Sequence, residues 1–358
     1  MPKNGRRRRP ILIAIMILLL VCILLSGCGD NVGKEMLKEA KELHLYSISN
    51  DALQDNYGVP AYGLLTYIQS AYPGRIAGTE KEKETALFIL SVLLNGGYSE
   101  EEISIKQFSI PDSVPSMAEP ITLFDGGEKT NSSQNIEVIK RGESEKTIVV
   151  GAHYDSAGTH GVDDNGSGLS VVLENALRMY NTQTHYTIRY VFFGAEEVGI
   201  WGSKAYVDSL SEKEKENLVL MINVDSILAG DYLYIYGGHI NESCDVEKSE
   251  AVFKAEEIAH EIGLEIQLPP EGNSDYPYPT GQKRSDHGPF DNIGIPYIYF
   301  EANNWDSGSP EETKKNGLIM HTAMDDLVFI ENEYGERAQN TLTSYSTLLY
   351  YLLLENAW

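Results

Sequence analysis

The sequence predicts a single α/β sandwich of three layers, with a mostly parallel central sheet flanked by helices. Three observations predict it. Short β-branched or aromatic runs alternate with helical patterns from residue 147 to the C-terminus. The runs are of the kind buried between helices on both faces of a sheet. No linker divides that stretch. The chain has 358 residues, 42% of them hydrophobic, enough for a large core and for either two domains or one long α/β domain.

The elements follow in order. Residues 30–50 are polar and charged, a tether running into a first helix. Gly78-Thr79-Glu80-Lys81-Glu82 reads as a helix start, with Thr79 as N-cap and Glu82 as its capping-box partner. Ala86, Leu87, Leu90, Leu93 and Leu94 continue at helical spacing, and Gly96-Gly97 end the helix. Residues 102–110 alternate like a strand, and 111–133 form a connection too short for an inserted domain. Strands are then expected at 147–150, 187–193, 218–224, 232–236 and 296–300. Helices are expected at 168–180, after Gly202, at 250–262 and at 338–354.

The N-terminus is a separate matter. Residues 1–27 hold Lys3 and Arg6 to Arg9, no acid, and an unbroken apolar run from Ile11 to Leu25. A basic region before an apolar stretch shorter than the ~20 residues of a spanning helix is a secretory signal pattern. Its end, Leu25-Ser26-Gly27-Cys28, resembles the lipobox of bacterial lipoproteins. That resemblance implies cleavage before Cys28, lipidation there, and a tether to the outer side of a membrane. An uncleaved anchor is the alternative. Either way the body lies outside the cytoplasm.

Removing the signal keeps all 53 acids but drops five of the 28 Lys and Arg, for a net charge of about −30. Such a surface repels phosphate backbones, which excludes nucleic acid as a partner. Cys22 leaves with the signal and Cys28 is the acyl site, so Cys244 stands alone. The mature chain therefore has neither an internal disulfide nor a thiolate metal cluster.

The chemistry is expected where strands end. His153 and Asp155 follow the first strand of the series, Glu196-Glu197 follow the second, and Asp225 closes the third. Carboxyl ends of strands form the ligand crevice of open α/β sheets, so three strands bring acids and a histidine to one rim. In His153-Tyr154-Asp155 the extended spacing points both polar side chains the same way, and Asp155 can hold the imidazole in one tautomer, as behind a metal-bound histidine. Gly161-Val162-Asp163-Asp164-Asn165-Gly166-Ser167-Gly168 is a tight turn opening a helix, for which an Asx-turn and N-cap would be reason enough. Adjacent Glu196 and Glu197 repel each other unless a cation neutralises them.

Taken together the segments resemble the co-catalytic dizinc aminopeptidases, zinc exopeptidases of the bacterial leucyl-aminopeptidase and aminopeptidase Y kind. Gly151-Ala152-His153-Tyr154-Asp155-Ser156, the 163–168 turn, Ala195-Glu196-Glu197-Val198-Gly199 and Asn223-Val224-Asp225 occur in family order. Ser285-Asp286-His287-Gly288-Pro289-Phe290 and His321-Thr322 with Asp325 complete the set. The likeness runs from about Pro73 to the C-terminus, and it makes 51–358 the catalytic domain, after a 1–27 signal peptide and a 28–50 tether.

The resemblance implies the roles. Asp164 would bridge two Zn2+ ions, with His153 and Asp225 completing one site and Glu197 and His321 the other. Co2+ or Mn2+ would also suit the donors. Glu196 would be the general base acting on a metal-bridging hydroxide, and Asp155 would orient His153. Asp286 and His287 are expected to stand behind the ligands, and His160 and Asp163 to be loop residues that tune the rim. The Asp164–Asn165 peptide is expected to be unusual, as a cis bond. Substrates would be peptides with a free N-terminus. The alternatives are a glutaminyl-cyclase-like zinc acyltransferase on the same scaffold and a non-catalytic binding module.

Overall fold

A computed structural model describes residues 31–43, 45–54, 56–111, 122–241, 243, 245–273, 276–307 and 311–358. The signal pattern, Cys28 and Cys244 lie outside the described residues. Within the expected lead-in, residues 31–43 form a helix (α1) that buries Met36, Leu37 and Ala40 in the main core. After α2 (Asn50–Gln54), α3 (Val59–Ala71) starts with Pro60 in its first turn, where a missing N–H costs nothing. It buries Ala61, Leu64, Leu65 and Ile68, one helical stripe.

Helix α4 (Glu80–Asn95) has Thr79 at its N-cap, accepting from the Glu82 amide. The expected return half of the capping box is absent. Burial has recruited the Glu82 carboxylate elsewhere: it accepts from the Gly78 amide at 2.7 Å, the Ser133 hydroxyl at 2.6 Å and the Ala195 amide at 3.2 Å. Strand β1 (Ile103–Ser109) pairs antiparallel with β2 (Ser132–Lys140), which occupies the end of the expected connection and runs beyond it. Polar Ser133, Gln134, Asn135 and Glu137 hide β2 in the sequence, yet all four are buried. They have partners: Gln134 bonds the Tyr154 hydroxyl, Asn135 the Gly202 carbonyl and Glu137 the Tyr206 hydroxyl.

The expected strands and helices follow, interspersed with shorter elements that the sequence does not mark. β3 (Ser144–His153) leads through a turn at Val162–Ser167 into α5 (Gly168–Met179), then β4 (Tyr186–Phe193), α6 (Trp201–Ser209), α7 (Glu212–Asn217) and β5 (Leu218–Val224). Next come β6 (Tyr232–Tyr236), a small hairpin of β7 (His239–Ile240) and β8 (Val246–Glu247), α8 (Glu250–Glu261) and β9 (Ile266–Gln267). The chain ends through α9 (Gly288–Asn292), β10 (Tyr297–Asn303), α10 (Leu327–Tyr334) and α11 (Arg337–Leu354).

The main sheet has the order β1-β2-β4-β3-β5-β10-β6-β9. Its centre, β4-β3-β5-β10, is parallel throughout, while β1, β2 and β6 join antiparallel at the flanks. Alternation sorts side chains to two faces. Ile148, Val150, Ile222 and Phe300 pack under α3, α4, α5 and α11, whereas Val149, Val191, Met221 and Tyr299 pack against Tyr206, Val207 and Phe290 of α6 and α9. Three layers result. Among the described residues, no helix is long and apolar enough to cross a membrane.

Candidate metal centre

Strands β4, β3 and β5 are neighbours, so their carboxyl ends open on one rim. His153 is the last residue of β3, Asp225 follows β5, and Glu196 and Glu197 follow β4 after Gly194 and Ala195. Asp164 comes from the turn before α5 and His321 from the loop between β10 and α10. Three residues here hold left-handed backbone despite their side chains: Ala195 (φ 56), Ser226 (φ 50) and His321 (φ 57). Strain of this kind gathers at functional loops that their surroundings over-determine.

The structure brings His153, Asp164 and Asp225 together as one trio and Asp164, Glu197 and His321 as another, with donor atoms within 4.8 Å of one another. His153 Nε2 lies 3.2 Å from Asp164 Oδ1 and 3.3 Å from Asp225 Oδ1. His321 Nε2 lies 2.9 Å from both Asp164 Oδ2 and Glu197 Oε2. Asp164 thus turns one oxygen to each trio. All five expected ligand residues are in these two groups, and Glu196 is in neither.

The donors suit divalent cations. His321 Nε2 and Glu197 Oε1 are buried without a hydrogen-bond partner, although carboxylates crowd the imidazole. An imidazole nitrogen and carboxylate oxygens that converge in this way suit a shared cation. The electrostatics agree. Burial opposes charge on His321, yet Glu197 and Asp164 push its pKa up to about 12. Burial likewise opposes charge on Asp164, but His153 and His321 hold it below the usual carboxylate range. Burial raises Glu197 to about 7 and Glu196 well above its ordinary value. The protein by itself is short of positive charge here, which divalent cations would supply; N/O donors with two imidazoles suit zinc.

Peptidase family M28 matches residues 135–346, more than half of the chain. The chain belongs to that family. It is a metal-dependent peptidase, and the expected family relationship holds. The alkaline phosphatase isozyme conversion protein of Escherichia coli is 30% identical over 68% of this chain and 72% of its own length. Aminopeptidase YwaD of Bacillus subtilis is 32% identical over 60% of this chain, which spans 44% of that longer relative. In fold, a zinc aminopeptidase from Bacillus subtilis superposes with a TM-score of 0.64 at 21% identity, covering 85% of this chain and 97% of the other. A glutaminyl cyclase from Porphyromonas gingivalis gives 0.58 at 20% identity over 84% and 98%.

The M28 centre is braced from several directions. Asp155 is fully buried, with Oδ1 3.4 Å from His153 Nδ1. It also accepts the Glu196 and Glu197 amides at 3.0 and 3.1 Å, so one carboxylate ties the β3 end to the β4 loop. Asn165 donates to the Val224 carbonyl at 2.9 Å and accepts from the Gly168 amide at 2.9 Å, locking the turn to the end of β5. The Asp164–Asn165 peptide is cis. Gly168 has no alternative: a Cβ there would lie 2.2 Å from the Val224 carbonyl oxygen. The Ser285 hydroxyl donates to Asp225 Oδ2 at 2.6 Å.

Asp286 is fully buried, and burial raises its pKa to about 7. His287 lies in neither trio; it stacks between Tyr297 and Tyr299, and burial lowers its pKa to about 4. His160 is at the rim, 3.7 Å from Asp326. Asp163 is not a rim residue: it is fully buried and accepts the Leu228 and Ala229 amides at 2.7 and 3.2 Å. A lone aspartate in a polar turn gives no sign of amides that reach it from another loop.

Three further residues brace the site, and of them only Asp325 is marked in the sequence, in the segment with His321-Thr322. Arg75 is fully buried and donates to the carbonyls of Tyr154, His160 and Gly161, with Asp325, Asp155 and Asp164 supplying the attraction that keeps a cation there. Asp325 accepts the Val162 and Asp163 amides at 2.9 and 2.6 Å. Glu312 accepts amides just before His321. Arg75 precedes the Gly78–Glu82 helix start, where a basic residue reads as surface charge.

Outer partners of metal ligands are worth ~10–100-fold in metal affinity. Asp155→Asn places an NH2 against an amide or against His153. It is expected to weaken zinc binding by about that factor, read by chelator competition. Unchanged affinity would remove Asp155 from the orienting role.

Proposed function

We propose that this M28 peptidase is an aminopeptidase that removes N-terminal residues from peptides, working with two zinc ions. The observation that carries this reading is Asp164, whose two carboxylate oxygens face two separate histidine-carboxylate trios. His153, Asp164 and Asp225 would hold one ion, and Asp164, Glu197 and His321 the other. Such a pair lowers the pKa of a water and polarises the scissile carbonyl.

The side chains do the rest. Glu196 adjoins a ligand without being one, so its carboxylate is free to accept the proton of the attacking water and pass it to the leaving amine. Asp155 aims that carboxylate through the Glu196 amide while holding the His153 ring. The acid surplus around the rim attracts the ammonium of a free N-terminus and repels a C-terminal carboxylate. The chain is further proposed to be a lipoprotein outside the cytoplasm, with signal peptide 1–27, lipidated Cys28 and a catalytic domain at 51–358. The support is the N-terminal pattern, a basic and then apolar stretch that ends in Leu25-Ser26-Gly27-Cys28.

The experiment is metal analysis paired with aminoacyl substrates, free and N-acetylated. Free substrates are expected to be cleaved, with acetylated ones at least ~10²-fold slower, since the charged anchor is missing. Equal rates would defeat the exopeptidase reading. Cyclisation of N-terminal glutamine without release of amino acids would favour the glutaminyl-cyclase alternative.

A further inference from the structure

Glu312 lies between β10 and α10, outside the quoted motifs, and is fully buried. Its carboxylate accepts the amides of Ile319 and Met320, the latter at 2.9 Å, so it grips the two residues that precede His321. His321 itself turns through left-handed backbone, which a side-chain residue holds only under restraint.

The backbone of Glu312 is fastened as well, its carbonyl accepting the Asp231 amide at 2.9 Å. Among the described residues no ion pair links Glu312 to a cation, so the desolvation of its buried carboxylate is met by these amides.

We infer that Glu312 is a positioning residue for the second trio, fixing the backbone that carries His321. The inference rests on the two-ion reading only for the ion held by Asp164, Glu197 and His321. Glu312→Gln keeps an oxygen that accepts from Ile319 and Met320, whereas Glu312→Ala keeps none.

The test compares Glu312→Ala and Glu312→Gln with the wild-type chain. Hydrogen exchange at Ile319 and Met320 is followed in metal-free protein, and zinc is then titrated back with a competing chelator. In Glu312→Ala, exchange at both amides is expected to accelerate, and one zinc to bind as in wild type while the second binds at least ~10-fold more weakly. Glu312→Gln is expected to restore both readouts to within about 3-fold of wild type. Two zincs at wild-type affinity in Glu312→Ala would overturn the inference. So would a folded Glu312→Gln as impaired as the alanine variant, and if alanine fails to fold, the glutamine variant decides alone. A wild type that binds a single zinc would sink the two-ion reading, and the exchange rates would still report on Glu312.

Discussion

Glu196→Gln is expected to keep both zinc ions and lose about 10²–10⁴-fold in kcat. The physical case is that Glu196 belongs to neither trio, so replacing its carboxylate with an amide of equal size leaves every ligand in place. Its amide N–H still donates to Asp155, so the loop geometry is retained too. What disappears is the acceptor for the proton of the attacking water. Zinc content by mass spectrometry and kcat on an aminoacyl substrate make the measurement. A variant that turns over within a few-fold of wild type would strip Glu196 of the role. One that loses zinc would mean that the carboxylate is a ligand.

Asp164→Ala is expected to act on both ions together and abolish hydrolysis. Outer partners of ligands are worth ~10–100-fold in affinity, so removing an inner carboxylate shared by two sites should exceed that at each. The pattern across the set is the stronger prediction. Asp225→Ala removes a group from the first trio alone and should spare the second zinc, whereas His321→Ala should spare the first. Full occupancy in Asp164→Ala, or loss of a single ion, would refute the sharing of Asp164. Calorimetric titration of metal-free protein separates these outcomes.

Much of the fold was legible because burial between helices leaves a local mark. Strands β3, β4, β5, β6 and β10 are short apolar or aromatic runs, and α4, α5, α8 and α11 carry a helical stripe. β2 was not legible: Ser133, Gln134, Asn135 and Glu137 break the apolar pattern of a strand whose polar side chains are satisfied by residues remote in the chain. α1 had the same fault in reverse, since three buried residues among many charges read as a tether. At the site, His153, Asp155, Glu196, Glu197 and Asp225 were visible because each falls at a strand end.

Residue type and order, by themselves, determined that acids and histidines would meet on one edge of a parallel sheet, and pointed to the peptidase family. Both are recorded locally, in periodicity and in the few residues after each strand. Only the tertiary structure decided how the edge is held. Glu82 reaches Ala195, 113 residues away, and Asp325 reaches Asp163 across 162 residues. Arg75, Glu312 and Asp163 are buried by packing that no neighbouring residue announces. A carboxylate in a polar segment reads as solvated until the chain closes over it. Then its desolvation must be met by amides or hydroxyls from wherever packing delivers them, and that choice belongs to the whole fold.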